Sequence, residues 1–134
     1  MAWTTEDEQK WSEKNPFRHS MGMRIEWLEA DGRAEISMPI TENLLQSAGI
    51  VHGGILCTLI DSVLGTVVRA TLQKVTPVAT IDLNVSFLRP GGLGRLYARG
   101  EPIKVGRRVL VGVGDVFDES GRMLATGRGS FMLG

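Results

Sequence analysis

Residues 53–72, GGILCTLIDSVLGTVVRATL, constrain the fold more than any other stretch. At 100° per residue, Ile55, Leu56, Leu59, Ile60, Val63, Leu64, Val67 and Val68 spread over more than half of a helix circumference. A helix apolar over so wide an arc needs cover on most sides, so the rest of the chain has to wrap it. The narrow remaining arc carries Thr58, Asp61, Ser62, Gly65, Thr66 and Arg69, with Asp61 at its edge. Two features are foreign to a plain core helix. It opens on His52-Gly53-Gly54, and a carboxylate, Asp61, follows nine residues after the histidine.

The flanking segments supply the wrapping. Residues 21–29 and 33–39 alternate apolar and polar side chains around Asp31-Gly32, which predicts a hairpin with a two-residue turn. After the helix, residues 78–89 alternate cleanly. Ala79, Ile81, Leu83, Val85 and Phe87 fall on one face and Thr80, Asp82, Asn84 and Ser86 on the other, and Arg89-Pro90-Gly91-Gly92 ends the strand. Strands follow at 95–104, 109–117 and 122–132, with turns at Gly106 and at Glu119-Ser120-Gly121. Gly127 and Gly129 share one face of the last strand, where another backbone or a helix can come close. At the N-terminus, residues 4–14 read as a short surface helix capped by Thr4 or Thr5 and stopped by Pro16. The order is a hairpin, one long helix, then four antiparallel strands. It predicts an α+β fold in which a curved antiparallel sheet of five to six strands surrounds the helix. With no repeat or linker, residues 1–134 are expected to form one domain, residues 1–16 being an extension or helix.

Composition narrows the function. Zero formal net charge argues against a general nucleic-acid partner. The charge is unevenly spread: residues 1–67 carry 5 Lys/Arg and 10 Asp/Glu, and residues 68–134 the reverse. A basic second half suits either scattered solvated strand charges or an acidic ligand such as a nucleotide phosphate. The single cysteine, Cys57, allows no internal disulfide and no cysteine-cluster metal site. It lies about 140° around the helix from His52, so a cysteine–histidine nucleophile is not expected. The acidic, polar start lacks the pattern of a signal peptide, and no uninterrupted run reaches the ~18 apolar residues of a membrane span. A cytoplasmic protein with no membrane partner is the expectation.

Gln46-Ser47-Ala48-Gly49-Ile50-Val51-His52-Gly53-Gly54, with Asp61 beyond it, resembles the motif of hotdog-fold thioesterases, most closely the phenylacetate-type acyl-CoA thioesterase branch. The strand Thr80 to Pro90 is similar to the strand that follows the helix in that family. The resemblance covers residues 20–133. At Gln46 the chain departs from the branch's usual Asn toward a related aryl-CoA group whose carboxylate is usually Glu, which leaves the acyl preference open.

The resemblance implies an acyl-CoA or aryl-CoA substrate and no cofactor or metal. It implies at least a homodimer, and by extension a dimer of dimers. The Gly53 N–H, at the positive end of a helix, would polarise the thioester oxygen with help from Gln46. Asp61 lies about 12 Å along the helix from that point, too far to serve the same thioester in one chain. In the family, the carboxylate of one subunit faces the Gln and Gly of the other. Asp61 would be general base, or nucleophile through a mixed anhydride. Thr80 matches a Ser/Thr position that helps place the water or the carboxylate, and His52 either touches substrate or orients the loop. Arg89 and the turn Gly106-Arg107-Arg108 match segments that meet the CoA phosphates. A non-catalytic acyl-CoA-binding module on the same fold is the alternative. A dehydratase acting on acyl-carrier protein ranks lower, for want of that family's His and Glu pair.

Overall fold

The computed structural model describes residues 2–134. Helix α1 spans Thr5–Lys14 and α2 spans Pro16–Ser20. Strands β1 (Arg24–Leu28) and β2 (Ala34–Ile40) lead to a 3₁₀ turn at Glu42–Leu44. The long helix α3, Gly53–Leu72, is followed by β3 (Val78–Phe87), β4 (Gly94–Val105), β5 (Val109–Phe117) and β6 (Met123–Leu133). The six strands form one antiparallel sheet in the order β1-β2-β4-β5-β6-β3. Strand β3 therefore pairs with the last strand of the chain, and β1 and β3 are the two edges.

Helix α3 lies in the hollow of the sheet. Leu59, Ile60, Val63, Leu64, Val67 and Val68 are all 0% exposed. They pack among Ile36, Met38, Leu96, Leu110, Leu124 and Phe131. Each large apolar side chain buried this way contributes about 1.5–3 kcal/mol. The helix comes this close because Gly100, Gly114 and Gly127 stand side by side across β4, β5 and β6. A methyl group at Gly100 would come within 2.9 Å of Val67, and one at Gly127 within 3.1 Å of Ile60. The expected close approach at Gly127 and Gly129 is thus one part of a wider groove. By length and mean hydropathy, 1.7 over an 18-residue window, the 20-residue α3 is apolar enough to cross a membrane. A search for an uninterrupted apolar run misses this, because Asp61, Ser62 and Arg69 interrupt the helix. Its apolar arc is committed to the sheet.

Three local expectations change. The β1–β2 turn is longer than two residues: the Glu29 N–H donates to the Arg33 carbonyl at 2.8 Å, closing a three-residue loop with Gly32 at φ +101. Pro16 stops α1 but also opens α2, where its fixed φ suits the first helical position. The third change is in β3. Its register slips between Thr80 and Asp82, which makes Ile81 a bulge. One extra residue reverses the alternation, so Thr80 joins Leu83 and Val85 on the helix side and Ile81 is 50% exposed.

The N-terminal helices cover the polar arc of α3. Thr4 and Asp7 form a reciprocal cap on α1. Glu8, wholly buried, accepts from Arg69 Nη2 at 2.7 Å, from the Thr66 hydroxyl at 2.7 Å and from Trp3 Nε1 at 2.8 Å. The Trp11 ring lies 3.5 Å from the Arg69 guanidinium and 5.2 Å from that of Arg18.

Candidate active site

The segment before α3 is tightly pinned. Leu45 bridges Val51, the Gln46 N–H donates to the Ile50 carbonyl at 2.8 Å, and Gly49 takes φ +83 to close the turn. Gln46 accepts from the Ala48 N–H with Oε1, so its carbonyl oxygen is engaged and its amide NH₂ remains a donor.

His52 is the N-cap of α3. Its Nδ1 accepts from the Gly54 N–H at 2.9 Å. Nδ1 is therefore the acceptor in this bond, and it holds the ring against the first turn of the helix. This leaves the Gly53 N–H as the bare donor at the helix start: among the described residues it makes no hydrogen bond. A cavity of about 440 Å³ opens in front of it, lined by Gln46, Ile50, Gly53, Leu56, Phe87 and Arg89 among others. The Phe87 ring lies 3.4 Å from where a Cβ on Gly53 would sit. That is an ordinary contact distance, so the ring forms a wall of the cavity beside the N–H.

Asp61 is half-buried, two turns further along α3. The Thr80 hydroxyl donates to its Oδ1 at 2.7 Å. The bulge at Ile81 makes this bond possible, because strict alternation would turn Thr80 away from the helix. Asp61 is thus fixed through one oxygen, and Oδ2 has no hydrogen-bond partner among the described residues.

The other candidates divide. Arg89 lines the cavity, and its Nη1 donates to the Met123 carbonyl at 2.8 Å. Gly106 closes the β4–β5 turn, where a Cβ would meet the Val109 carbonyl at 2.9 Å. Arg107 and Arg108 in that turn are exposed. The Arg108 carbonyl accepts from the Leu133 N–H at 2.7 Å, which ties the turn to the end of the sheet where β3 begins. The cavity lies at the opposite end, beside Phe87. One chain thus brings together Gln46, Gly53 and Arg89 in one place and Asp61 with Thr80 in another. Phe87 was missed as a site residue. Its apolar phase in β3 marks it only as core, and nothing local signals contact with the helix start.

Cys57 is half-buried and free. The described residues hold no group of three His, Cys, Asp or Glu arranged to bind a metal ion. A hollow of about 370 Å³ on the outer sheet face, bounded by Trp27, Arg99, Asp115 and Phe117, touches none of these candidates.

Residues 48–125 match the family model described as the thioesterase superfamily. A Halobacterium salinarum protein with a provisional esterase name is 42% identical over 115 residues, covering 78% of this chain and 76% of that one. The medium/long-chain acyl-CoA thioesterase YigI of Escherichia coli is 29% identical over 136 residues, covering 89% and 86%. Among solved structures, a phenylacetic-acid-degradation-related protein of Ralstonia eutropha, provisionally named a thioesterase, superposes with a TM-score of 0.82. It is 31% identical, covering 88% of this chain and 89% of that one. The matched segment contains Gly53, Asp61 and Thr80, and the architecture around them is the one the motif implied. The chain belongs to the thioesterase superfamily and is a thioesterase of the hotdog fold.

Proposed function

We propose that the protein hydrolyses an acyl- or aryl-CoA thioester to the free acid and CoA, in sites shared between two copies of the chain. One observation carries this reading. The bonded pair Asp61–Thr80 and the bare Gly53 N–H lie toward opposite ends of the same open edge strand. Pairing two β3 strands antiparallel about a two-fold axis through their middle brings the Asp61 end of one chain against the Gly53 end of the other. Each dimer then has two complete sites, and the separation of about 12 Å along the helix within a chain ceases to matter.

In such a site the thioester oxygen accepts from the Gly53 N–H, with the Gln46 amide as second donor. Charge develops on that oxygen as the carbonyl carbon becomes tetrahedral, and fixed donors stabilise it there. Asp61 of the other chain acts from the opposite side. As a base it takes a proton from water as the water oxygen bonds to the carbonyl carbon. As a nucleophile its carboxylate bonds to that carbon, and water hydrolyses the resulting anhydride. On either route the carbon–sulfur bond breaks and CoA leaves as a thiolate that picks up a proton. The Thr80 hydroxyl holds Oδ1 so that Oδ2 faces the reaction. His52 caps the helix and keeps the turn closed.

The acyl group suits the cavity walls of Ile50, Leu56, Phe87 and Leu88. The nucleotide end of CoA needs cations. Arg89 supplies one at the cavity. Arg107 and Arg108 of one chain lie at the end of the sheet that the two-fold pairing brings toward the other chain's cavity. The acyl-CoA named for the Escherichia coli relative supports the substrate class.

The test is Asp61→Asn, which keeps shape and removes basicity. Thiol release from a panel of acyl-CoAs is expected to fall by about 10²- to 10⁴-fold with the thermal midpoint preserved. Near-wild-type turnover by the folded variant would overturn the assignment. Tight acyl-CoA binding by the wild-type protein with no thiol released from any substrate would make it a binding module instead.

A further inference from the structure

The proposed site leaves unexplained a pair of buried arginines beside it. Arg18, on α2, is 5% exposed and Arg69, on α3, is 4% exposed. One carboxylate, Glu8, serves both. It bonds Arg69 directly, while Arg18 Nη1 stands 3.6 Å from it. The cluster therefore carries one surplus positive charge in a nearly water-free setting. Burying charge in this way is costly, and a purely structural role is served as well by apolar packing.

The position of that surplus charge is specific. Arg18 Nη1 donates to the Thr66 hydroxyl at 3.0 Å and Nη2 to the Ser62 carbonyl at 2.5 Å. Nη2 also lies 3.6 Å from where a Cβ on Gly65 would be. Gly65 is one helical turn beyond Asp61 and on the same face. The guanidinium thus lies along α3 over the turn that follows Asp61, in space that a larger side chain at position 65 would share. Burial is the main influence pulling the Arg18 pKa down, to about 10, and Arg69 adds to it. Glu8 and Asp61 work the other way. Arg18 remains a cation throughout the range in which the enzyme would act.

We propose that Arg18 is a positioning residue for Asp61: its buried guanidinium, anchored on Ser62 and Thr66, keeps the Asp61 carboxylate ionised inside the dimer. This rests on the reading of Asp61 as the reacting carboxylate. Closing a second chain over Asp61 strips water from it, and desolvation by itself favours the neutral acid. A base or nucleophile that is protonated at neutral pH does no work. The charged and titratable groups on the elements packed about Asp61 are Cys57 and Arg69 on its own helix, Glu8 on α1 and Arg18 on α2, and the Thr80 hydroxyl on β3 bonds it directly. Asp82, the nearest carboxylate on β3, pairs with Ser130 on the outer face. Of the two cations Arg18 makes the looser ion pair with Glu8, at 3.6 Å against 2.7 Å for Arg69. Helices α1 and α2 lie outside the segment matched by the family model, which begins at residue 48.

The experiment compares Arg18→Gln, Arg18→Lys and the wild-type protein by the pH dependence of kcat/KM for thiol release. Arg18→Gln removes the charge but keeps hydrogen-bonding capacity. Its acid limb is expected to move up by about one pH unit, with the plateau above it within about threefold of wild type. Arg18→Lys, which restores a cation, is expected to bring the limb most of the way back. A merely structural residue would lower the thermal midpoint in both variants and leave the limb where it was. Superimposable profiles, or a shift as large in Arg18→Lys as in Arg18→Gln, would overturn the proposal. If Arg18→Gln does not fold, the wild-type limb decides. An apparent pKa at or below about 5 agrees with a guarded carboxylate, and a higher one contradicts it. Asp61→Asn run alongside separates the two ideas: if it keeps turnover, the reading of Asp61 fails and not this one alone.

Discussion

At the β1 edge of the sheet, a five-residue strand with a bulge is sealed by α1. The Ile25 N–H donates to Gln9 Oε1 at 2.8 Å and the Leu28 N–H to the Thr5 hydroxyl at 3.2 Å. At the β3 edge, ten residues run with no strand or helix of the described residues along the outer side, and Ile81 and Phe87 are 50% and 56% exposed. Long open edges with apolar side chains invite pairing, and proteins usually shorten, charge or cover them. This chain does so at one edge and not at the other. The uncovered edge also carries the two halves of the proposed chemistry. We read the contrast as a division of labour: the β1 edge is closed for stability, and the β3 edge is open to receive a second copy.

The contrast can be broken most severely at Ile81. Ile81→Glu puts a charge on the open edge at a side chain already half in water, so the folded chain itself should change by no more than about 0.5 kcal/mol. Sedimentation is expected to find a monomer at micromolar concentration, and thiol release to fall at least about 10³-fold, because both sites lose one half. An active monomer would end the comparison. Next in size is Gly53→Pro. Proline is tolerated at the first position of a helix, and His52, with φ −63 and ψ 134, already has the extended backbone that a following proline requires. The substitution removes the Gly53 N–H, and its ring also takes up space beside Phe87 in the cavity. Turnover should drop by about 10²- to 10³-fold with the dimer intact. The smallest effect belongs to the closed edge. Gln9→Ala leaves the Ile25 N–H without its side-chain acceptor, which should cost about 1 kcal/mol and a few degrees of thermal midpoint. Turnover and oligomeric state should not change. A loss of activity there would mean that the two edges are not as separate as the geometry implies.

Much of this was legible in the sequence, for physical reasons. Helix α3 was expected at 53–72 and is found there, because a wide apolar arc repeating every 3.6 residues has one solution. Strand β5 was likewise expected at 109–117 and found there. The Gln46, Gly53 and Asp61 spacing was readable through the family resemblance alone. Alternation in β3 misled about Thr80, since a single bulged residue reverses the phase and carries no composition signal. The pairing of β3 with β6 was not legible either, because alternation says nothing about which strand lies alongside. Nor was the cover on the polar arc of α3. Arg69 reads as a solvated helix charge until α1 supplies Glu8 from 61 residues away. The division of the site between the two ends of β3 is a tertiary fact, although the rise of about 12 Å along the helix hinted at it.

The measurement that tests the shared site most directly is complementation between two crippled chains. Asp61→Asn and Gly53→Pro are prepared with different tags, mixed, and the heterodimer isolated. If each site takes Asp61 from one chain and Gly53 from the other, the heterodimer holds one site with both groups intact and one with neither. Two almost inactive parents should then yield a dimer with about half of wild-type thiol release. A heterodimer that forms but remains as inactive as its parents would contradict the account, because it would mean that both groups act within one chain.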